Sequence, residues 1–204
     1  YPNIWILTAV PLGFSSAVMT FAGLWGVPFL KQVPGLGPKT GAAITSTLLV
    51  SWALGGPLLG SWSERMGAKK PLYRITSGVA LLGWAAIIFL PLPFWLMVAL
   101  LVPTGFASGN IIIGFAWAKE SVPLRLVGTA SGVCNMGPLM GGMFLQPLVG
   151  WALDLRWNGT LADGVRVYDA AAYRGGFALM FCAVTAAAII IMAARESHCR
   201  QMHD

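Results

Sequence analysis

The sequence predicts an all-α membrane protein with six transmembrane helices. Composition, the placement of charge and the length of the uncharged tracts together predict it. Of 204 residues, 57% are hydrophobic and 10% are charged, against about 25% charged in an ordinary soluble domain. A soluble chain this short cannot hide so much apolar surface, because small domains bury only about 60–70% of their chain surface. Five stretches carry no Asp, Glu, Lys or Arg: Tyr1 to Leu30, Thr40 to Ser63, Ile75 to Ala118, Leu126 to Leu153, and Gly175 to Ala194. A helix needs roughly 20 apolar residues to cross the hydrocarbon core, so four stretches fit one span each. The third is twice as long and carries Pro91-Leu92-Pro93 at its middle. Two prolines there remove backbone donors and favour a turn, which divides it into two spans.

The expected spans are Ile4–Phe29, Gly41–Ser63, Leu72–Leu90, Phe94–Ala118, Val127–Leu153 and Gly175–Ala194. They are expected to form a six-helix bundle over residues 1–194, followed by a cytoplasmic tail, 195–204. Short tracts of alternating polarity, the mark of an outer-membrane barrel, are not seen. No signal peptide is recognisable, and the chain opens without Met directly in a full-length span, which reads as a fragment or a processed chain.

Lysine and arginine in the loops set the orientation. One side holds Arg65, Lys69, Lys70, Arg74, Lys119, Arg125, Arg195 and Arg200. The other holds Lys31, Lys39, Arg156, Arg166 and Arg174, the last three diluted by Asp154, Asp163 and Asp169. The first side is expected to be cytoplasmic, with both termini on it. The net charge of +6 is then topology and not nucleic-acid binding, because no basic stripe interleaves with aromatics. Cys134, Cys182 and Cys199 have no spacing that makes a disulfide framework.

Within the spans, Gly105/Gly109, Gly128/Gly132 and Gly137/Gly141 are each four apart. Small residues at that spacing let helix backbones approach closely. The third and sixth spans are nearly all aliphatic over Val79–Leu90 and Ala178–Ala194 and look lipid-facing. Polar residues concentrate in the other four: Thr8, Ser15, Ser16 and Thr20; Thr45, Ser46, Thr47, Ser51 and Trp52; Thr104, Ser108 and Asn110; Asn135 and Gln146. Amides are costly in hydrocarbon and face a bundle interior or a wet cavity. Spans one, two, four and five are therefore expected to surround something polar, with Ser16, Thr20, Trp52, Asn110, Asn135 and Gln146 as candidate cavity residues. Helix–helix hydrogen bonding is the alternative role for the amides, and back-bonding to the helix for the hydroxyls. Trp5, Trp25, Trp62, Trp95, Trp117 and Trp151 lie near span ends and read as interfacial anchors.

Two motifs carry a family resemblance. After span two the chain reads Gly60-Ser61-Trp62-Ser63-Glu64-Arg65-Met66-Gly67-Ala68-Lys69-Lys70. This resembles the signature loop of the major facilitator superfamily, with Glu64 in place of the usual Asp. The run from Glu120 through Pro123, Arg125, Gly128, Gly132, Asn135, Gly137 and Pro138 to Gly141-Gly142 is similar to the tenth-to-eleventh helix region of that superfamily. So is its continuation, Gln146-Pro147-Leu148-Val149-Gly150-Trp151-Ala152-Leu153-Asp154. The family's first half carries an Arg in its fourth helix, four residues before a Gly; here Leu101 precedes Gly105, which favours the second half.

The resemblance implies a half bundle of two inverted three-helix repeats, paired in the whole carrier with an N-terminal six-helix half, or with a second copy. It implies secondary active transport of a small solute across a bacterial inner membrane by alternating access. It also implies a gating loop made of Gly60, Glu64, Arg65, Gly67, Lys69 and Lys70. A six-helix homodimer or a non-transporting assembly or regulatory subunit is the competing reading. Enzyme chemistry has no footing: both histidines are in the tail, and no nucleophile elbow, phosphate loop or His-Glu-x-x-His is present. No cofactor or metal is expected. His198, Cys199 and His203 are ligand-type residues, but a flexible solvated tail is the plainer reading. Asn158-Gly159-Thr160 is a glycosylation sequon that reads as a chance occurrence.

Overall fold

The computed structural model describes residues 1–162 and 164–202. Asp163, counted above among the loop acids, and His203, a tail ligand candidate, lie outside the described residues. Six long helices follow one another among them: α1 (Pro2–Gln32), α2 (Pro38–Arg65), α3 (Lys70–Phe89), α4 (Phe94–Glu120), α5 (Val127–Asp154) and α6 (Ala170–Ala193). Each expected span falls on one helix. α6 starts five residues before its expected span, because Asp169 caps it: the Ala172 N–H donates to Asp169 Oδ1 at 2.8 Å. The loop between α5 and α6 adds a small antiparallel hairpin, Leu161–Ala162 with Val165–Arg166, so the chain is not wholly helical.

Five of the helices are long and apolar enough to cross a membrane. α5 is long enough, at 28 residues, but its glycines, Asn135 and Gln146 dilute its apolar character. Of these, Gly137, Gly141 and Gln146 bring it against α1.

The helices pair in a regular way. α2 lies along α4 and α5 along α1, while α3 packs on α4 and α6 on α1. Glycine makes both main seams. A Cβ at Gly109 would stand 2.6 Å from the Gly56 nitrogen, and one at Gly105 2.6 Å from the Leu48 carbonyl oxygen. Gly137 meets the Thr8 backbone and Gly141 meets Ser16 in the same manner. Gly128 and Gly132 have nothing within 4 Å, so of the three expected glycine pairs this one makes no contact.

An aromatic cluster joins α1, α3 and α6. Phe21 stands 5.5 Å from Trp84 and 5.6 Å from Phe177, and Phe29 stands 5.4 Å from Tyr173. The third and sixth spans are therefore two-faced and not simply lipid-facing. α3 buries Tyr73 and Trp84 while Ile75, Val79 and Leu82 point outward. The other tryptophans divide likewise. Trp5, Trp62, Trp95 and Trp151 are exposed near helix ends, but Trp117 is fully buried and donates to the Arg195 carbonyl at 3.0 Å. It is a packing residue, not an interfacial anchor.

Candidate functional site

α1 and α4 are both irregular near their middles. α1 passes through a π-turn at Phe21–Trp25 before continuing as Gly26–Gln32. Pro28 has no N–H to offer the carbonyl four residues back, which disfavours regular α-helix there. α4 breaks at Gly109-Asn110, between Phe94–Ser108 and Ile111–Glu120. Backbone groups freed at membrane depth need partners from neighbouring helices. Near the α1 turn, Gln146 Nε2 of α5 donates to the Met19 carbonyl at 3.2 Å, and Trp25 Nε1 returns a bond to the Gln146 carbonyl at 3.1 Å. At the α4 break, Trp52 Nε1 of α2 donates to the Ser108 carbonyl at 3.0 Å. Two residues of the polar inventory thus hold together the irregular points of the bundle.

Between these breaks lies a groove of about 480 Å³ lined by α1, α2, α4 and α5. Met19, Trp52, Pro57, Ile112, Phe115, Asn135 and Leu139 are among its walls. Of the six candidate cavity residues, Trp52 and Asn135 line it, and Asn135 is exposed there. Gln146 is partly buried beside it, engaged with α1. Ser16, Thr20 and Asn110 do not line it; all three are buried in helix contacts. Ser16 Oγ donates to the Pro11 carbonyl at 3.4 Å and packs on Gly141. Asn110 Nδ2 donates to Thr76 Oγ1 of α3 at 3.3 Å. Sequence periodicity does not separate these two faces, because α1 and α4 are buried nearly all round in the middle.

The residues expected to form a gating loop divide as well. Gly60 lies against Ile112 of α4, and Gly67 turns the chain at φ +63°. Glu64 and Arg65 are exposed and have no ion-pair partner among the described residues. Lys69 is fully buried and its Nζ stands 3.2 Å from Glu120 Oε1. Lys70 Nζ donates to the Ala194 carbonyl.

The described part of the tail, partly exposed, folds back across this end of the bundle. Glu196 accepts the Lys69 N–H at 3.1 Å and the Lys70 N–H at 2.7 Å, capping the start of α3, and also the N–H groups of Ser197 and His198. Burial pushes its carboxyl pKa up, but these four donors outweigh burial and hold it below the usual range. Ser197 Oγ donates to Glu120 at 2.6 Å, and the Met202 N–H to the Glu120 carbonyl at 3.0 Å. Asn3 closes the cluster, donating to Ser121 Oγ at 3.0 Å and accepting the Arg195 N–H at 2.9 Å. Sequence reading missed Glu196 and Glu120 as structural acids. The available signal was an acid immediately beyond each of two spans, on the side richest in lysine and arginine.

No family model matches the chain. Among curated proteins it is similar to one from two strains of Mycobacterium tuberculosis described as a probable nitrate/nitrite transporter, NarK2. The two are 25% identical over 129 residues, which is 62% of this chain and 32% of the relative. Among solved structures it is similar to XylE, a proton:xylose symporter of the major facilitator superfamily, bound to 6-bromo-6-deoxy-D-glucose. The TM-score is 0.66 at 14% identity, over 96% of this chain and 44% of that one. An inward-open conformation of XylE from E. coli gives a TM-score of 0.70 at 14% identity, over 96% and 47%. The chain thus matches about a third of the curated relative and just under half of the solved transporters, and what it shares with XylE at this identity is the fold.

Proposed function

The chain has the fold of one half of a major facilitator superfamily transporter, and on that premise we propose that it is the C-terminal half of a carrier for a small solute. The carrier works by alternating access against an N-terminal six-helix half, with the solute near the midplane between the halves. The observation that carries this reading is the groove on which α1, α2, α4 and α5 converge, flanked by the irregular points of α1 and α4.

The pairing of helices supports two three-helix repeats. α2 lies on α4 as α5 lies on α1, and α3 on α4 as α6 on α1, as two units exchanging equivalent contacts would give. Leu101 in place of the first-half arginine, and the run from Glu120 to Gly132, support the second half. All six helices cross the membrane, an inner membrane of bacterial type, with both termini cytoplasmic; the lysine and arginine asymmetry supports that orientation.

Reconstitution tests the proposal. The carrier containing this chain, in liposomes, is expected to show saturable counterflow of its solute, and the 204-residue chain alone is expected to show none. Saturable uptake by the chain alone would make it a complete half-size transporter. A single cysteine at Asn158 is expected to label only from the outside; labelling from the cytoplasmic face overturns the topology.

A further inference from the structure

We infer that the solute presents an uncharged, apolar face to this half of the carrier, with a single hydrogen-bonding group met by Asn135. The inference rests on the transport reading above and names the chemistry of its solute. The groove's volume of about 480 Å³ falls within the roughly 300–1,000 Å³ typical of small-molecule sites, which are mostly apolar with few polar groups fixing orientation.

Its walls have that character. Met19, Ile112, Phe115 and Leu139 are hydrocarbon or thioether. Trp52 lends only its ring, because its N–H is spent on the Ser108 carbonyl. Asn135, on the exposed face of α5, is the polar side chain left for a ligand.

Charge is missing from this wall. The Lys, Arg, Asp and Glu residues of the four lining helices are Lys31, Lys39, Glu64, Arg65, Lys119, Glu120 and Asp154, and each stands within two residues of a helix end. An anion placed on this wall would lose its water and gain no cation, which is strongly unfavourable at membrane depth. A bare inorganic anion such as nitrate has no apolar face to set against that loss. This wall thus offers no cation to the anion named for one similar protein, a probable nitrate/nitrite transporter. A densely hydroxylated sugar face fits this wall poorly too, since one amide cannot replace the water that face sheds.

Benzamide, benzoate, nitrate and xylose form the probe set, measured by equilibrium binding to the whole carrier in lipid nanodiscs. Benzamide and benzoate share a ring and differ in charge. Benzamide is expected to bind at least about tenfold more tightly than benzoate, with nitrate and xylose failing to displace it. Asn135→Ala is expected to weaken benzamide by up to about tenfold, the loss of one neutral hydrogen bond, and Asn135→Arg to turn the preference towards benzoate. Asn135→Gln serves as the folding control and is expected to retain benzamide.

Preference of the wild-type carrier for benzoate or nitrate overturns the inference. So does absence of benzamide binding, or a benzamide-to-benzoate ratio unmoved by Asn135→Arg. Counterflow in liposomes separates this from the transport reading. Nitrate counterflow without benzamide binding sinks the neutral-solute inference and leaves the carrier standing. Benzamide binding without counterflow of any solute leaves the groove's chemistry standing and sinks the carrier.

Discussion

Trp52 and Gln146 each donate to a backbone carbonyl beside a helix irregularity, and their value follows from where those carbonyls lie. Interhelical hydrogen bonds in membranes average about 0.6 kcal/mol, whereas an orphaned buried acceptor costs about 1–3 kcal/mol. Trp52→Phe keeps the ring and removes the donor. It is expected to lower stability by about 1 kcal/mol, or about 2–4 °C in Tm for a chain of this size. A thermal melt in detergent reads this, and an unshifted Tm counts against the tie.

Glu196 makes a second prediction. Its folded pKa lies below its ordinary value, so the stability it contributes is present above the unfolded pKa of about 4.3. That stability is lost as pH falls through the folded value. Tail docking should therefore hold at neutral pH and be released only as pH falls below the ordinary glutamate range, and Glu196→Gln should weaken docking at neutral pH. Protease cleavage after Arg195 or Arg200 reports it. Equal cleavage of wild type and variant at neutral pH would show that the cap does not hold the tail.

Glycine spacing governs the helix pairs, though only where a backbone lies opposite. Gly109 sits on the α2–α4 seam, where a Cβ would meet the Gly56 nitrogen at 2.6 Å. The clash is with backbone and no rotamer relieves it, so Gly109→Ala is expected to destabilise by about 1–3 kcal/mol or more through forced helix separation. Gly132 faces open space, and Gly132→Ala is expected to be neutral or mildly stabilising through higher helix propensity. The pair of melts is decisive: equal effects at the two sites would refute the seam. The same logic places α5 in the bundle although its composition is less apolar than that of its neighbours. Gly137 and Gly141 are what let it lie against Thr8 and Ser16 of α1.

Glu64 and Arg65 are exposed and have no ion-pair partner among the described residues, so under the proposed half-carrier reading their partners are expected on the other half. A contact that forms in one conformation and breaks in the other changes the exchange rate more than ground-state affinity. Arg65→Ala in the whole carrier is accordingly expected to slow turnover several-fold with solute affinity less affected. Stopped-flow uptake beside equilibrium binding measures both, and unchanged turnover would remove Arg65 from the lock. Lys69, expected in the gating loop, meets Glu120 and, through its backbone, Glu196 in this structure, with Ser197 beside them. That cluster ties the start of α3 and the end of α4 to the tail.

The bilayer imposes a coarse rule that one dimension can express: roughly 20 residues without charge, turns at prolines, lysine and arginine to one side. The sequence by itself therefore determined the helices, the polar inventory and the resemblance. Which face each polar residue takes depends on where helices break and what crosses them. Asn110 and Thr20 turn into the packed interior while Asn135 lines the groove, though all three are polar residues in apolar spans. The tail was read as solvated because its composition is polar, yet four backbone N–H groups distant in sequence or adjacent to it converge on Glu196. Only the tertiary structure decides these placements. Hydrogen-bond satisfaction is a property of neighbours in space, and the partners here stand up to 192 residues apart.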